Sequence, residues 1–383
     1  MAVAPYDLAP VASIALVGAL FALGPVLWVW RRERGRSGAA RLHALTVLAL
    51  CLTFELVLFG AFTRLTDSGL GCPDWPGCYG QASPLGAHAQ IGAAQSVLPD
   101  GPVTHGKAWI EMTHRYLASG VGALIVVLVV LSWVEARKRT PKTSLAWAGA
   151  TLAWVCVQGA FGALTVTMKL YPLIVTLHLL GGMVLLVLLA VQTQASQRAP
   201  LAMSRGLYVA ALALALISAL QIALGGWVST NYAVLACAEF PACQGAWWPA
   251  MDFEQGFVLM RELGSGKDGA ALPFAALTAI HYMHRLGAYA VLGAMALFAW
   301  RLFARSDAAL RPWAIGTAAI ALWQLASGLS NVALGWPLIG AVAHTAGAAA
   351  WVTLLAMMIT RARLARPMTA SQGHAGRIWQ PAP

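Results

Sequence analysis

Four histidines form two pairs along the chain, and their positions favour metal ligation. His114 and His178 lie in the first half of the 383 residues, and His284 and His344 lie in the second half. Each histidine comes shortly after the start of a long apolar stretch. At about 1.5 Å per helical residue, all four lie about 8–12 Å below equivalent ends of their helices. One shared depth predicts two ligand pairs, although any single histidine could instead hydrogen-bond a neighbouring helix.

An imidazole nitrogen is a suitable axial ligand for haem iron, and two facing helices can supply one ligand to each face of the ring. We therefore predict two bis-histidine haem sites, His114 with His178 and His284 with His344. Zinc and copper are the alternative metals. They fit less well, because the pairs lack the additional carboxylate or thiolate ligands that would close a compact coordination sphere.

An arginine follows the first histidine of each pair. Arg115 comes directly after His114, and Arg285 comes directly after His284. A guanidinium group suits bidentate recognition of a carboxylate, so both arginines are candidate partners of haem propionates. The alternative is that these long side chains reach the membrane surface without a ligand.

A carboxylate distinguishes the two pairs. Glu111 lies three residues before His114 and therefore on the same helix face, whereas the equivalent residue before His284 is His281. A carboxylate near only one pair suggests that the halves differ in role. We predict chemistry in the first half, with Glu111 taking part, and a fixed cofactor in the second. The alternative is an interfacial Glu111 that merely faces water.

Composition places these residues in a membrane. The chain is 59% apolar and only 10% charged, with a mean hydropathy of +0.69. Crossing the hydrocarbon takes about 20 apolar residues in a helix. Nine stretches qualify: about 11–30, 42–63, 109–134, 145–167, 172–191, 205–228, 276–300, 313–333 and 338–360.

Orientation follows from the basic residues. Most of the 25 Lys and Arg fall in 31–41, 135–144, 192–205, 301–312 and 361–383, which alternate with the other connections. The positive-inside rule places these segments in the cytoplasm together with the C-terminus. The N-terminus and the long segments 64–108 and 229–275 then lie outside. The net charge of +11 reflects the same bias, so we expect no nucleic-acid partner.

Four cysteines lie in the two outer segments with one spacing, Cys72 with Cys78 and Cys237 with Cys243. Disulfides persist outside the cytoplasm, so two disulfides are predicted. Four thiolate metal ligands are the alternative.

The chain contains an internal repeat. Gly60, Cys72 and Cys78 recur 165 residues later, and His178 recurs 166 residues later as His344. We predict an all-α polytopic membrane protein with two duplicated four-helix bundles, an eight-helix core, and one extra N-terminal transmembrane helix. The predicted units are 1–41 (extra helix and basic loop), 42–191 and 205–360 (the two halves), and 361–383 (cytoplasmic tail). Both halves run in the same direction, as in a parallel repeat.

Several motifs resemble those of the haem A synthases: TRLTDSGLGCPDWPGC, the segment from Glu111 to Arg115, STNYAVLACAEFPACQGAWWP, and the segment from His281 to Arg285. The resemblance covers about 42–360. The family has an eight-helix core, so the helix at 11–30 is a departure from it.

The resemblance implies oxidation of a methyl group of haem O to the formyl group of haem A, for use in terminal oxidases. By the same resemblance, His284 and His344 bind a haem b cofactor, His114 and His178 frame the haem O substrate, and Glu111 matches an essential carboxylate. It further implies a multi-pass protein of a bacterial inner (cytoplasmic) membrane.

Two other functions would use the same histidines. A di-haem b electron-transfer subunit would not need Glu111, and a haem transporter or chaperone would bind haem without altering it. A haem O synthase is a plausible partner, because an insoluble substrate must be handed over. The electron donor or acceptor is unknown, and a homo-oligomer is compatible with the sequence.

Overall fold

A computed structural model of the chain describes residues 9–138, 143–197 and 199–375. Within these residues the protein consists of helices and connecting loops, without a β-strand. The helices are α1 (Ala9–Arg32), α2 (Gly38–Leu65), α3 (His88–Val97), α4 (His105–Lys138), α5 (Thr143–Thr167), α6 (Pro172–Gln197), α7 (Arg205–Thr230), α8 (Phe253–Gly256), α9 (Phe274–Phe303), α10 (Arg311–Ala333) and α11 (Leu338–Ala375). A short 3-10 helix covers Ala233–Leu235.

Eight of the described helices are long and apolar enough to cross a membrane, which confirms the all-α polytopic class. They are α1, α2, α4, α5, α6, α7, α9 and α11. The ninth predicted span, α10, is not among them. It is 23 residues long but carries Gln324, Ser327, Ser330 and Asn331. It packs against both α9 and α11, so neighbouring helices shelter its polar side chains.

The helices of the first predicted half form a ring of four. Both α2 and α5 pack against α4 and against α6, so α4 and α6 lie at opposite corners. In the second half, α7 and α10 each pack against α9 and α11, which likewise places α9 and α11 at opposite corners. We call these the first ring and the second ring. Helix α11 continues to Ala375, so the described part of the predicted tail extends that helix, and residues 376–383 lie outside the described residues.

The two rings meet along α2, α6, α7 and α11. We call the end of the bundle that carries the cysteine loops the disulfide end. Near this end, Nη2 of Arg64 donates to the backbone oxygen of Ser229 at 2.6 Å. The Tyr232 hydroxyl donates to Asp67 at 2.5 Å. Both contacts join residues 165 positions apart, which is the period of the repeat. Equivalent positions therefore meet, as expected around a pseudo-two-fold axis along the helices.

Helix α1 stands outside both rings and packs against α4 and α2. Gly18 permits the close approach, because a Cβ atom added there would lie 2.7 Å from the backbone of Ser119 on α4. Nearer the disulfide end, Ile14 is buried in a cluster with Cys72 and Cys78. The extra helix thus covers one side of the first ring and has no counterpart in the repeat.

Two described α-helices in the outer segments were not predicted, α3 and the four-residue α8. Helix α3 lies within the outer segment 64–108 and packs against α4, with Ile91 fully buried. It brings the His88 ring to 4.4 Å from the His105 ring at the start of α4. At ten residues it is too short to produce a membrane-span signal.

Gly18→Leu should separate α1 from α4, because its side chain would occupy the place of Ser119. Overpacking of this kind costs about 1–3 kcal/mol, so we expect a lower midpoint of thermal unfolding, measured by tryptophan fluorescence in detergent. The matched control is Gly24→Leu in the same helix, where an added Cβ meets nothing within 4 Å. Equal midpoints for the two variants would contradict this packing.

Candidate functional site

The predicted histidine pairs face each other across the two rings. His114 lies on α4 and His178 on α6, at opposite corners of the first ring. His284 on α9 and His344 on α11 occupy the same corners of the second ring. The ring topology therefore directs each pair toward a shared interior.

Glycines on adjacent helices make room for the first histidine of each pair. A Cβ atom on Gly60 of α2 would lie 3.0 Å from Cε1 of His114. Its repeat equivalent, Gly225 of α7, would place a Cβ atom 2.9 Å from Cε1 of His284. A larger residue at either position would push the imidazole away.

The second histidine of each pair also lies against a glycine. The distances from an added Cβ to the imidazole Cε1 would be 3.5 Å for Gly162 and His178, and 3.4 Å for Gly328 and His344. All four imidazoles are therefore packed against a helix backbone that lacks a side chain at the point of contact.

The geometry of the second pair suits an iron between the two imidazoles. The ring centroids of His284 and His344 are 6.5 Å apart, and the ring planes are nearly perpendicular at 85°. Metal–imidazole bonds are about 2 Å long, so one metal ion with an imidazole on each side occupies a separation of this size. The donor set, two neutral imidazoles without a third protein ligand, is that of a six-coordinate haem.

Both imidazoles of the second pair have a neighbour at Nδ1. The His344 Nδ1 lies 2.9 Å from the Ser327 hydroxyl, which can accept a hydrogen bond from a protonated Nδ1 and so leave Nε2 free to bind a metal. The His284 Nδ1 lies 3.0 Å from Nε2 of Gln221. The same Nε2 donates to the backbone oxygen of His284 at 2.9 Å.

The first pair differs in this respect. The Nδ1 atoms of His114 and His178 are buried and have no hydrogen-bond partner among the described residues. The His114 imidazole stacks on Phe59, with a centroid distance of 6.2 Å. The imidazoles of the first ring are therefore less firmly oriented than those of the second.

Glu111 does not face water. It is 4% exposed, and both carboxylate oxygens accept hydrogen bonds. The backbone N–H of Cys72 donates to Oε2 at 2.7 Å, and Arg115 donates to Oε1 at 2.6 Å. The carboxylate thus joins α4 to the first cysteine loop, about one helical turn from His114.

Arg115 and Arg285 hold equivalent loops. Arg115 donates to the backbone oxygen of Gly77, and Arg285 donates at 3.0 Å to the backbone oxygen of Ala242, its repeat equivalent. Arg285 also donates to the backbone oxygen of Cys237 at 2.7 Å. Binding of haem propionates by these arginines stays a prediction and depends on N–H groups that the loops leave free.

In the second ring, His281 takes the place of Glu111. Its Nδ1 donates to the backbone oxygen of Ala233 at 2.9 Å, and its Nε2 accepts from Arg285 at 3.3 Å. The arginine is therefore present in both rings, while its partner is a carboxylate in one ring and an imidazole in the other.

Both predicted disulfides are formed. Cys72 and Cys78 are joined with an S–S distance of 2.12 Å, and Cys237 and Cys243 with 1.97 Å. The Cα–Cα distance is 4.8 Å in each case. The four sulfur atoms are bonded in two separate loops, so they do not form the alternative thiolate metal site.

A buried arginine in the second outer segment was not found by sequence reasoning. Arg261 is 5% exposed, lies over the Trp227 ring, and donates to the Ser265 backbone oxygen and the Asn231 side chain. Among the described residues no carboxylate lies within ion-pair distance of it, and its Nε has no partner. Burial lowers the pKa of Arg261. A single arginine in a long loop looks like a solvated charge, so the sequence carries no signal for this one.

Gly225→Val should displace the His284 imidazole and weaken haem binding in the second ring by about tenfold or more, the effect expected when a ligand loses its orientation. Gly60→Val should disturb only the first ring and leave the haem of the second ring in place. The readout is the Soret absorbance per protein after purification. The control is Gly293→Val on α9, where an added Cβ meets nothing within 4 Å. Equal haem content in the Gly225→Val and Gly293→Val proteins would contradict the assigned contact.

A family model described as "Cytochrome oxidase assembly protein" (COX15-CtaA) matches residues 43–358, which include both rings and all four histidines. It leaves out α1, in agreement with the position of that helix outside the repeat.

Individual relatives extend this similarity. The heme A synthase of Shewanella oneidensis is 37% identical over 308 residues, covering 79% of this chain and 91% of that protein. The heme A synthase of Methylobacterium radiotolerans is 30% identical, covering 86% of this chain and 91% of that protein. The heme A synthase of Allorhizobium ampelinum is 28% identical, covering 83% and 88%.

Proposed function

Since the chain belongs to the COX15-CtaA family of cytochrome oxidase assembly proteins, we propose that it is a haem A synthase. It acts on haem O and oxidises a methyl substituent to the formyl group of haem A. The protein is accordingly an oxidoreductase of the membrane.

The observation that best supports two different haem roles is a difference between the two rings in the hydrogen bonding of the histidine Nδ1 atoms. His284 and His344 each have a neighbour at Nδ1, whereas His114 and His178 have none among the described residues. A permanent cofactor benefits from ligands with a fixed orientation, and a substrate that must leave benefits from ligands without one.

We propose that the second half, 205–360, holds haem b between His284 and His344. Their centroid separation and the glycines behind their imidazoles support this assignment. Haem b supplies one-electron redox chemistry when it is bound. The protein's part is to hold both imidazoles in a dry interior between helices.

The first half, 42–191, is proposed to bind haem O between His114 and His178. Glu111 lies toward the disulfide end from His114, by about 4.5 Å along the helix. Oxidation of a methyl carbon leaves positive charge developing there, and a carboxylate nearby can stabilise that charge or accept a proton. The Cys72 N–H and the Arg115 guanidinium each donate to one Glu111 oxygen, so the protein fixes the position of this carboxylate.

The remaining features of the proposal concern its setting. We place the protein in a bacterial inner membrane, with the disulfide end and the N-terminus outside and the C-terminus in the cytoplasm, because disulfides persist outside the cytoplasm and basic residues mark the cytoplasmic side. A haem O synthase is proposed as the partner that delivers substrate. An electron-transfer subunit or a haem carrier would need no carboxylate in one ring alone.

Replacing His284 or His344 by alanine should remove the stably bound haem b, because the iron would lose one of its two protein ligands. Absorbance of the purified protein at the Soret band measures this loss. His114→Ala and His178→Ala serve as comparisons and should keep the haem of the second ring. Unchanged haem content in both second-ring variants would disprove the cofactor assignment.

Glu111→Gln should abolish most haem A formation while haem b remains bound. The substitution preserves size but removes the charge, and preorganised charge stabilisation of a few kcal/mol corresponds to a rate loss of about a hundredfold or more. Chromatography of haems extracted from cells that also express a haem O synthase should show haem O, or a partly oxidised alcohol, in place of haem A.

The same variant must be checked for a structural effect, because glutamine offers one acceptor oxygen where Glu111 uses two. Mass spectrometry of alkylated peptides reports whether the Cys72–Cys78 disulfide is intact. An intact disulfide with lost haem A supports the electrostatic role. Wild-type amounts of haem A would show that Glu111 only anchors the loop.

A further inference from the structure

Three of the four histidines are held by a glutamine from an adjacent helix. In each case the glutamine Nε2 donates to the backbone oxygen of the histidine. The pairs are Gln158 with His178 at 3.0 Å, Gln221 with His284 at 2.9 Å, and Gln324 with His344 at 3.2 Å. A carbonyl oxygen has two lone pairs, so this contact adds to the hydrogen bonding within the helix. The contact fixes the position of the histidine, along the helix axis, relative to the neighbouring helix.

A glycine three residues after each of these histidines makes the contact possible. The glycines are Gly181, Gly287 and Gly347. An added Cβ atom there would lie 2.0 Å from Gln158 Oε1, 2.1 Å from Gln221 Oε1 and 3.0 Å from Gln324 Nε2, respectively. Any larger residue would displace the amide. The contact therefore requires both the glutamine and the sequence His-x-x-Gly, which we call together the glutamine clamp.

His114 lacks the clamp. The residue three positions after it is Leu117, and not glycine. Gln221 precedes Gly225 by four residues on α7, and the equivalent residue before Gly60 on α2 is Leu56. Among the four histidines, His114 therefore lacks both the glutamine and the glycine of the clamp.

The four histidines form a graded series. His284 and His344 have the clamp and a neighbour at Nδ1, and His178 has the clamp alone. His114 has neither, and the contacts described for its imidazole are the stack on Phe59 and the approach of Gly60. The restraint is weakest on the helix that also carries Glu111.

From this series we infer that Gln158, Gln221 and Gln324 are positioning residues for their histidines, and that His114 is the ligand that gives way when haem O enters and haem A leaves. The inference rests on the proposed function, because only a substrate site needs to open in each cycle. One movable ligand is sufficient for exchange, while His178 keeps the haem aligned.

The first test measures how often a histidine leaves the iron in the second ring. Carbon monoxide binds ferrous haem only at an open axial position, so the CO difference spectrum reports ligand loss. The background is His114→Ala with His178→Ala, which confines haem b to the second ring. In that background, Gln221→Met keeps side-chain length and removes the amide. We expect the CO-bound fraction at a fixed low CO concentration to rise by about tenfold or more.

The matched control is Gln192→Met, because Gln192 donates to Thr151 and the Leu188 backbone oxygen, and no hydrogen bond joins it to a histidine among the described residues. It should leave the CO spectrum unchanged. Gln324→Met provides an independent second variant should Gln221→Met fail to fold. CO binding in the folded glutamine variants equal to that of the control would overturn the inference.

The second test transfers the clamp to His114. In the double variant Leu56→Gln with Leu117→Gly, haem O or haem A should leave the first ring about tenfold more slowly, measured as transfer from purified protein to apomyoglobin. Leu117→Gly alone, which opens space without the amide, is the control. Release of haem b should be unchanged. Equal release of haem O and haem A from the double variant and its control would contradict the role of His114.

These tests are separate from the proposed function. A wild-type protein that fails to convert haem O to haem A would disprove the synthase assignment, whatever the CO spectra show. A protein that converts haem O but shows no effect of the glutamine and leucine variants would disprove only the clamp.

Discussion

The approach of an imidazole to a bare helix backbone is the contact on which both rings depend. Gly60, Gly162, Gly225 and Gly328 each lie against one of the four histidines. Between helices in lipid there is little hydrophobic driving force, so packing relies on small residues that let backbones come close. Each of these glycines leaves space for one imidazole. The histidine-bearing helices stay at opposite corners of each ring, with a shared interior between them.

A second constraint closes each ring at the disulfide end. The backbone carbonyls of a tight cysteine loop need donors, and Arg115 and Arg285 supply them from the helix that carries the first histidine. A guanidinium offers five donors in a fixed fork, which lysine cannot match. The disulfides and the arginine contacts together hold the loops at the disulfide end of each ring, and α1 and α3 cover the first ring alone.

The internal repeat accounts for the similar helix packing of the two rings. Residue differences at three equivalent positions account for the different surroundings of their histidines. Leu56 stands where the second ring has Gln221, Leu117 where it has Gly287, and Glu111 where it has His281. All three differences fall on α2 and on α4, the helix that carries His114. The second ring thus restrains both of its histidines, whereas the first ring has a charged group and a less restrained His114.

Sequence alone determined the membrane class, eight of the nine predicted spans, the repeat, the disulfide pairs and the four histidines. It could do so because backbone groups in lipid must be satisfied within a helix, which leaves long apolar runs, and because duplication repeats spacing directly. Only the tertiary structure decided which helices oppose each other, that both Glu111 oxygens are engaged by the protein, that Arg261 is buried, and that three glutamines reach histidine carbonyls. These are contacts between residues on different helices or loops, or directions of single side chains. Hydropathy and spacing average over such details, so helix packing in three dimensions determined them.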